Sequence, residues 1–118
     1  MSTATPSRRT VVSTMAVGTM TTLGSPVGSA QAQTAAKTFV LVHGAWHGGW
    51  CWRRVSDQLE KRGHKVFAPT MTGLGERSHL LDLKVNLTTH VTDIVNVIKW
   101  EDLSKIVLVG HSYGGVII

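Results

Sequence analysis

The sequence predicts an α/β fold, with a mostly parallel sheet and flanking helices, for residues 37–118. Two short apolar runs, TFVLVH and KIVLVG, are rich in β-branched residues and border on glycine, as is typical of strands buried on both faces of a parallel sheet. Between them lie two segments in which apolar residues recur with helical spacing. Strands that alternate with helices favour right-handed crossover connections and a layered α/β sheet.

The segment after the first strand predicts a helix followed by a weaker strand. Trp52, Val55 and Leu59 fall on one face of this helix, and Gly63 is the candidate C-cap. The run HKVFAP then predicts a strand that ends at Pro69, because proline cannot donate a sheet hydrogen bond.

A second helix is predicted before the last strand. Its apolar positions have i, i+3, i+4, i+7 spacing and comprise Val91, Ile94, Val95 and Ile98. Thr88 or Thr89 is the candidate N-cap, because a threonine oxygen can accept from the first free N–H groups of a helix. His79 and His90 are expected in or beside the long loop that precedes this helix.

The composition limits which classes of protein and which partners the sequence allows. A chain of 118 residues with 42% hydrophobic content holds one globular domain at most. The formal net charge is +5, but the basic residues of the body are mixed with acidic ones, so no stripe for nucleic acid is predicted. Cys51 is the sole cysteine, which excludes an intrachain disulfide, and we expect it to be a packing residue. No cofactor is predicted.

The head of the chain, residues 1–36, predicts a signal peptide and a short linker. Arg8-Arg9, a moderately apolar stretch and Ala30-Gln31-Ala32 follow in the order of a twin-arginine export signal, with cleavage near residues 32/33. Val11 stands where that signal usually has phenylalanine, and an organelle transit peptide or a disordered tail are the alternatives. The apolar stretch is too short for a membrane span, so we expect an exported protein, periplasmic or extracellular, without a stable membrane anchor.

The stretch VLVGHSYGG near residue 112 predicts a nucleophile elbow. Gly110-x-Ser112-x-Gly114 directly follows a buried strand, and small residues open the next segment. A serine held in a strained turn needs small neighbours two residues before and after it, so that strand and helix can pass closely. The alternative is a glycine-rich turn with an incidental serine.

A second element of the site is predicted at the end of the first strand, where the chain reads HGAWHGGW. Glycines beside a strand end allow a backbone N–H to approach an oxyanion. The amides of Ala45 and Tyr113 are therefore the candidate donors to one carbonyl oxygen.

The same loop carries histidines and tryptophans with other possible roles. His43 and His47 have an i, i+4 spacing, but the glycines between them and the lack of an adjacent carboxylate argue against zinc, so no metal site is predicted. Trp46, Trp50 and Trp52 are candidates either for a pocket wall or for the core.

From Phe39 to Ile118 the chain resembles the first part of an α/β-hydrolase, close to the branch of small-ester esterases and hydroxynitrile lyases. The segments that carry the resemblance are FVLVHGAWHGGWCW, RGHKVFAPTMTGLGERSHL and KIVLVGHSYGG. The resemblance implies that Ser112 is the nucleophile and that Ala45 and Tyr113 form the oxyanion hole. Residues of the supporting turn and loop would be His43, Gly44, Gly110, His111 and Gly114. The lyases have threonine and Glu-Ser-Cys at the places where this chain has Gly44 and His111-Ser112-Tyr113. This difference favours the esterase.

The expected function is that of a serine esterase, which cleaves a small carboxylic ester through an acyl-enzyme on Ser112. In this fold the acid and the histidine of the triad follow the serine in the chain, so both are expected after Ile118. The fold is therefore expected to be truncated after the elbow, and the 118 residues alone to be inactive. A cyanohydrin-cleaving lyase and a non-catalytic small-molecule-binding relative are the alternatives. The sequence leaves the oligomeric state open.

Overall fold

The computed structural model describes residue 24 and residues 34–118. The paired arginines and the expected cleavage site of the export signal lie outside the described residues. The chain divides into two units, Met1–Ala32 and Gln33–Ile118.

Three parallel strands form the sheet of this unit. They are β1 (Thr38–Val42), β2 (Lys65–Phe67) and β3 (Ile106–Gly110), in the order β2-β1-β3. In the register of the sheet Val40 of β1 lies opposite Phe67 on one side and Leu108 on the other. Because β1 is the central strand, its last three residues are at most 1% exposed. The parallel sheet predicted from the apolar runs is thus confirmed, but β3, predicted as a buried strand, is only partly buried along its whole length.

Helices connect and flank these strands. They are α1 (Arg53–Lys61), α2 (Leu87–Trp100) and α3 (Gly114–Ile117), with a 3₁₀ helix at Gly49–Trp52 and a kinked 3₁₀ segment at Gly75–Leu80. Both helical segments between strands were predicted, and each joins two parallel strands. Among residues 34–118 no helix combines the length and the hydropathy that a membrane crossing needs.

The ends of α1 and α2 show how local chemistry sets their bounds. At the end of α1, Gly63 takes φ +83° and follows the cap residue Arg62, and its N–H donates to the Glu60 carbonyl oxygen at 2.9 Å. The N-cap of α2 is Asn86, not Thr88 or Thr89 as predicted. Its side-chain oxygen accepts from the Thr89 N–H, and the Thr89 hydroxyl accepts from the Asn86 N–H, both at 3.2 Å.

The core forms on one side of α2 and around the central strand. Its buried members are Val40, Val42, Met71, Ile94 and Ile117. Two residues of the predicted apolar faces differ, since Val55 is 42% exposed and Val95 is 51% exposed. Of the other predicted positions on α2, Ile94 is buried, and Val91 and Ile98 are partly buried against the core.

Candidate active site

Ser112 lies in a tight turn between β3 and α3. It takes φ +53°, the left-handed region that a side chain rarely adopts, and it is exposed. A Cβ atom on Gly110 would lie 2.5 Å from the Gly114 carbonyl oxygen, and one on Gly114 would lie 2.5 Å from the Val42 carbonyl oxygen. Only glycine therefore fits at both positions, and the strained turn holds the serine outside the sheet.

Backbone hydrogen bonds close this turn. The Gly114 N–H donates to the His111 carbonyl oxygen at 2.9 Å, and the His111 N–H donates to the Val42 carbonyl oxygen at 3.1 Å. No hydrogen bond from the N–H of Tyr113 or of Ala45 is found within residues 34–118. Among the described residues, these two N–H groups therefore have no acceptor.

The loop that follows β1 lies directly against the serine turn. A Cβ atom on Gly44 would lie 3.1 Å from Ser112 Cβ and 3.2 Å from the His111 carbonyl oxygen. Ala45 follows at once, and Trp46 takes φ +66° with 91% of its surface exposed. The structure therefore brings the two predicted glycine-rich segments together at the carboxyl edge of the sheet.

His43 holds this loop from inside the protein. Its side chain is fully buried, Nδ1–H donates to the Gly44 carbonyl oxygen at 2.7 Å, and Nε2 accepts from the Met71 N–H at 3.0 Å. Burial lowers the pKa of His43 below its ordinary value of 6.5. The ring is therefore neutral at pH 7, and neither nitrogen is free to act as a base.

The buried ring of His43 predicts a loss of stability in acid. Protonation is disfavoured in the folded state, so below pH 6.5 unfolding takes up a proton. The contribution of His43 to stability is full above pH 6.5 and is lost as the pH falls below it, toward and through the lowered folded pKa. One such group changes the free energy of unfolding by at most about 1.4 kcal/mol per pH unit.

Urea unfolding of the full-length protein between pH 7.5 and 5.0 measures this change. His43→Gln should be less stable at pH 7.5 but should show a shallower loss on acidification. The exposed His79→Gln variant is the matched control for the same substitution at the surface. Equal slopes for the wild type and His43→Gln would contradict the assignment.

A polar cluster fastens the same loop to the segment after β2. The Gly49 N–H donates to Thr70 Oγ1 at 2.8 Å, and the Thr70 hydroxyl donates to Glu76 Oε1 at 2.5 Å. Arg77 donates to the Thr70 carbonyl oxygen at 2.8 Å. The Thr70 hydrogen bond lowers the pKa of the Glu76 carboxyl. Sequence reasoning missed this cluster, although the glycines at 73 and 75, both with positive φ, indicate a compact turn.

His90 and Tyr113 form a second contact that the sequence did not predict. His90 lies in the first turns of α2, beside the loop that precedes this helix, and is 7% exposed, a burial that the sequence did not predict. Its Nε2–H donates to the Thr72 carbonyl oxygen at 2.8 Å, and its Nδ1 accepts from the Tyr113 hydroxyl at 2.9 Å. Asp93 accepts from the Thr72 N–H at 2.6 Å and from its hydroxyl at 2.8 Å. The i, i+4 spacing of His90 and Ile94 could have predicted that His90 is buried, since both lie on the buried face of α2.

The remaining candidates in the loop lie near the surface. His47 Nδ1 contacts the Ala45 carbonyl oxygen at 2.8 Å, so this histidine is tied to its own loop. In the described part of the chain no three His, Cys, Asp or Glu side chains come together as a metal site. Cys51 is exposed, which corrects the packing role expected for it, and desolvation raises the pKa of its thiol. Trp50 is half exposed, so neither it nor Trp46 is a core residue.

A buried parallel strand, a strained serine turn and an adjoining glycine loop define a hydrolase-type α/β domain. The profile of the α/β hydrolase family matches residues 39–118, and the chain belongs to this family. The fold and the family predicted from the sequence are therefore confirmed.

Similar proteins include esterases and other enzymes. The carbendazim hydrolyzing esterase of Nocardioides sp. (strain SG-4G) is 55% identical over 80 residues, which cover 68% of this chain and 33% of that protein. Norfluorocurarine synthase 2 of a Strychnos species is 42% identical over 86 residues, covering 70% and 32%. An extracellular α/β-hydrolase from a Paenibacillus species, described as homologous in structure and function to tobacco salicylic acid binding protein 2, has a TM-score of 0.62. It is 34% identical, with 69% and 32% covered. The chain thus spans about a third of the length of these relatives.

Proposed function

We propose that this chain is part of a serine esterase in which Ser112 forms an acyl-enzyme with a small carboxylic ester. The observation that carries the proposal is the exposed Ser112 at φ +53°, in contact distance of the Gly44 loop. The 55% identity to a protein named as an esterase supports ester hydrolysis as the reaction class.

The reaction begins when Ser112 Oγ attacks the ester carbonyl carbon and its proton passes to a general base. Negative charge develops on the carbonyl oxygen, and the free N–H groups of Ala45 and Tyr113 are the donors that would stabilise it. The alcohol leaves with a proton, and water then hydrolyses the acyl-serine. No cofactor and no metal enter this scheme.

The general base and its acid partner are proposed to come from parts of the protein other than residues 34–118. Both ring nitrogens of His43 and of His90 are engaged in hydrogen bonds. His79 is exposed on the kinked 3₁₀ segment, and His64 Nδ1 accepts from the Lys37 N–H at 3.2 Å. We therefore expect the 118-residue chain alone to hydrolyse no ester above background.

A binding role without catalysis is the second candidate. The Paenibacillus hydrolase is described as functionally homologous to a salicylic acid binding protein, so ligand binding by a related site is chemically reasonable. The two candidates differ in one property, since only the esterase needs a nucleophilic Ser112. A cyanohydrin lyase is disfavoured by Gly44 and by the residues on either side of Ser112.

Phosphorylation by an organophosphate separates these candidates directly. Diisopropyl fluorophosphate reacts with an activated serine, whose oxygen bonds to phosphorus while fluoride leaves. In the full-length protein we expect one adduct, on the peptide that contains Ser112, together with loss of p-nitrophenyl acetate hydrolysis. An adduct on another peptide, or full activity after labelling of Ser112, would contradict the esterase mechanism.

Export of the protein is proposed on the sequence of its head. Arg8 and Arg9 precede the apolar stretch, and Ala30-Gln31-Ala32 ends at the expected cleavage point. Changing both arginines to lysine should stop transport, and N-terminal sequencing of exported protein should begin at Gln33. Changing Lys37 to arginine is the control and should leave transport intact. Exported protein that retains Met1 would contradict the proposal.

A further inference from the structure

We propose that His90 is a positioning residue for the oxyanion-binding amide of Tyr113, acting through the Tyr113 hydroxyl. The inference rests on the proposed ester hydrolysis at Ser112 and deepens it, because it names what holds one oxyanion donor in place. The two rings meet edge to face, with centroids 5.7 Å apart and an interplanar angle of 81°. His90 comes from α2, some twenty residues before the serine turn.

The Tyr113 amide needs an anchor because of the backbone around it. Its N–H belongs to the peptide group that joins Ser112 to Tyr113, and Ser112 is held at φ +53°. A left-handed residue persists only where its surroundings hold it, so this peptide group would rotate if its far side were loose. The next two residues, Gly114 and Gly115, have no side chains. Tyr113 is therefore the first residue after the serine that can fasten the turn by a side chain.

The ring of His90 is suited to this task because its orientation is set on both sides. The Thr72 carbonyl oxygen can only accept, so Nε2 carries the proton and Nδ1 is the acceptor for the Tyr113 hydroxyl. The Thr72 N–H and the Thr72 hydroxyl in turn both donate to the Asp93 carboxylate. His90 and Asp93 lie one helical turn apart on α2, so one rigid helix holds both ends of this hydrogen-bond chain.

A role of His90 as the general base is disfavoured by the same contacts. A base needs a nitrogen directed at the serine oxygen, and both nitrogens of His90 already have partners. The ring acts on Tyr113, and Tyr113 acts on the reacting oxygen through its backbone. The effect of removing His90 should consequently appear in the transition state and not in substrate binding.

The test compares five variants of the full-length protein with p-nitrophenyl acetate as substrate, one of them the double variant His90→Phe/Tyr113→Phe. His90→Phe removes both hydrogen bonds and keeps a ring, and Tyr113→Phe removes the hydroxyl and keeps the amide. His90→Gln retains a donor and an acceptor and should restore part of the activity. Thr92→Ala is the control on the exposed face of the same helix, where the Thr92 hydroxyl bonds only to the Thr88 carbonyl oxygen.

We expect His90→Phe and Tyr113→Phe each to lower kcat about ten- to a hundredfold with KM nearly unchanged. Affinity for a short-chain alkyl trifluoromethyl ketone, which adds to serine and leaves an oxyanion, should fall by the same factor. The double variant should be no worse than the single ones, since both remove the same contact. Thr92→Ala should match the wild type.

Several results would overturn the inference. Unchanged kcat in both single variants, multiplying effects in the double variant, or a rise in KM alone would each show that His90 does not position the amide. If His90→Phe does not fold, Tyr113→Phe and His90→Gln decide the question. The proposed function fails separately, by an active Ser112→Ala enzyme or by a fluorophosphate adduct outside the Ser112 peptide.

Discussion

Ser112→Ala is expected to lower kcat for ester hydrolysis by the full-length protein about a millionfold, which is the scale seen when a serine nucleophile is removed. The variant keeps the backbone N–H groups of the site, so substrate binding should remain close to that of the wild type. A side chain of alanine fits wherever serine fits, and φ +53° strains both equally. The expected loss is therefore chemical and not structural.

Kinetics and ligand binding must be measured on the same preparations to show this. Ser104→Ala is the matched control. Ser104 is exposed and lies just before the first residue of β3, whereas Ser112 follows the last residue of that strand. It should retain wild-type kcat. An active Ser112→Ala enzyme would mean that VLVGHSYGG is only a turn and that Ser112 is not the nucleophile.

Gly44→Val is expected to lower kcat about a hundredfold while KM rises much less. A Cβ atom at position 44 would lie 3.1 Å from Ser112 Cβ and 3.2 Å from the His111 carbonyl oxygen. The branched side chain must therefore push the loop away from the serine turn and carry the Ala45 N–H with it. One misplaced donor weakens the stabilisation of the transition state and leaves ground-state contacts largely intact.

A graded series makes this prediction specific. Gly44→Ala adds only the Cβ atom and should show a smaller loss than Gly44→Val. Gly115→Val is the matched control, since a Cβ atom there meets nothing within 4 Å among the described residues. Equal activity of Gly44→Val and the wild type, with the same melting temperature, would show that the loop does not supply a donor.

Much of the fold and part of the candidate site could be predicted because their signals are local. The strand runs TFVLVH and KIVLVG match β1 and β3, and HKVFAP contains β2. The need for glycine on both sides of Ser112 was predicted from the Gly-x-Ser-x-Gly spacing directly after a strand, and the structure leaves no room for a Cβ at Gly110 or Gly114. Backbone sterics act over a few residues, so a single sequence window carries them.

Long-range contacts account for most of what the sequence did not predict. Periodicity suggested that Val95 faces the core, but it is half exposed, while Met71 in a connecting segment is fully buried. The N-cap of α2 is Asn86 and not a threonine, because the Asn86 amide oxygen accepts from the Thr89 N–H. Burial depends on how the sheet and the helices pack together, so the spacing of apolar residues alone does not predict it.

By itself the sequence determined the α/β class, the parallel strands and the serine in a glycine-bounded turn. Only the tertiary structure decided that His43 is a neutral buried ring beneath the glycine loop, and that His90 binds Tyr113 and not solvent. The physical reason is the distance along the chain over which each interaction acts. Backbone strain and hydrophobic period are set by neighbours in the chain, whereas a histidine takes its role from the donors and acceptors that folding brings to its ring, here from residues 18 to 28 positions away.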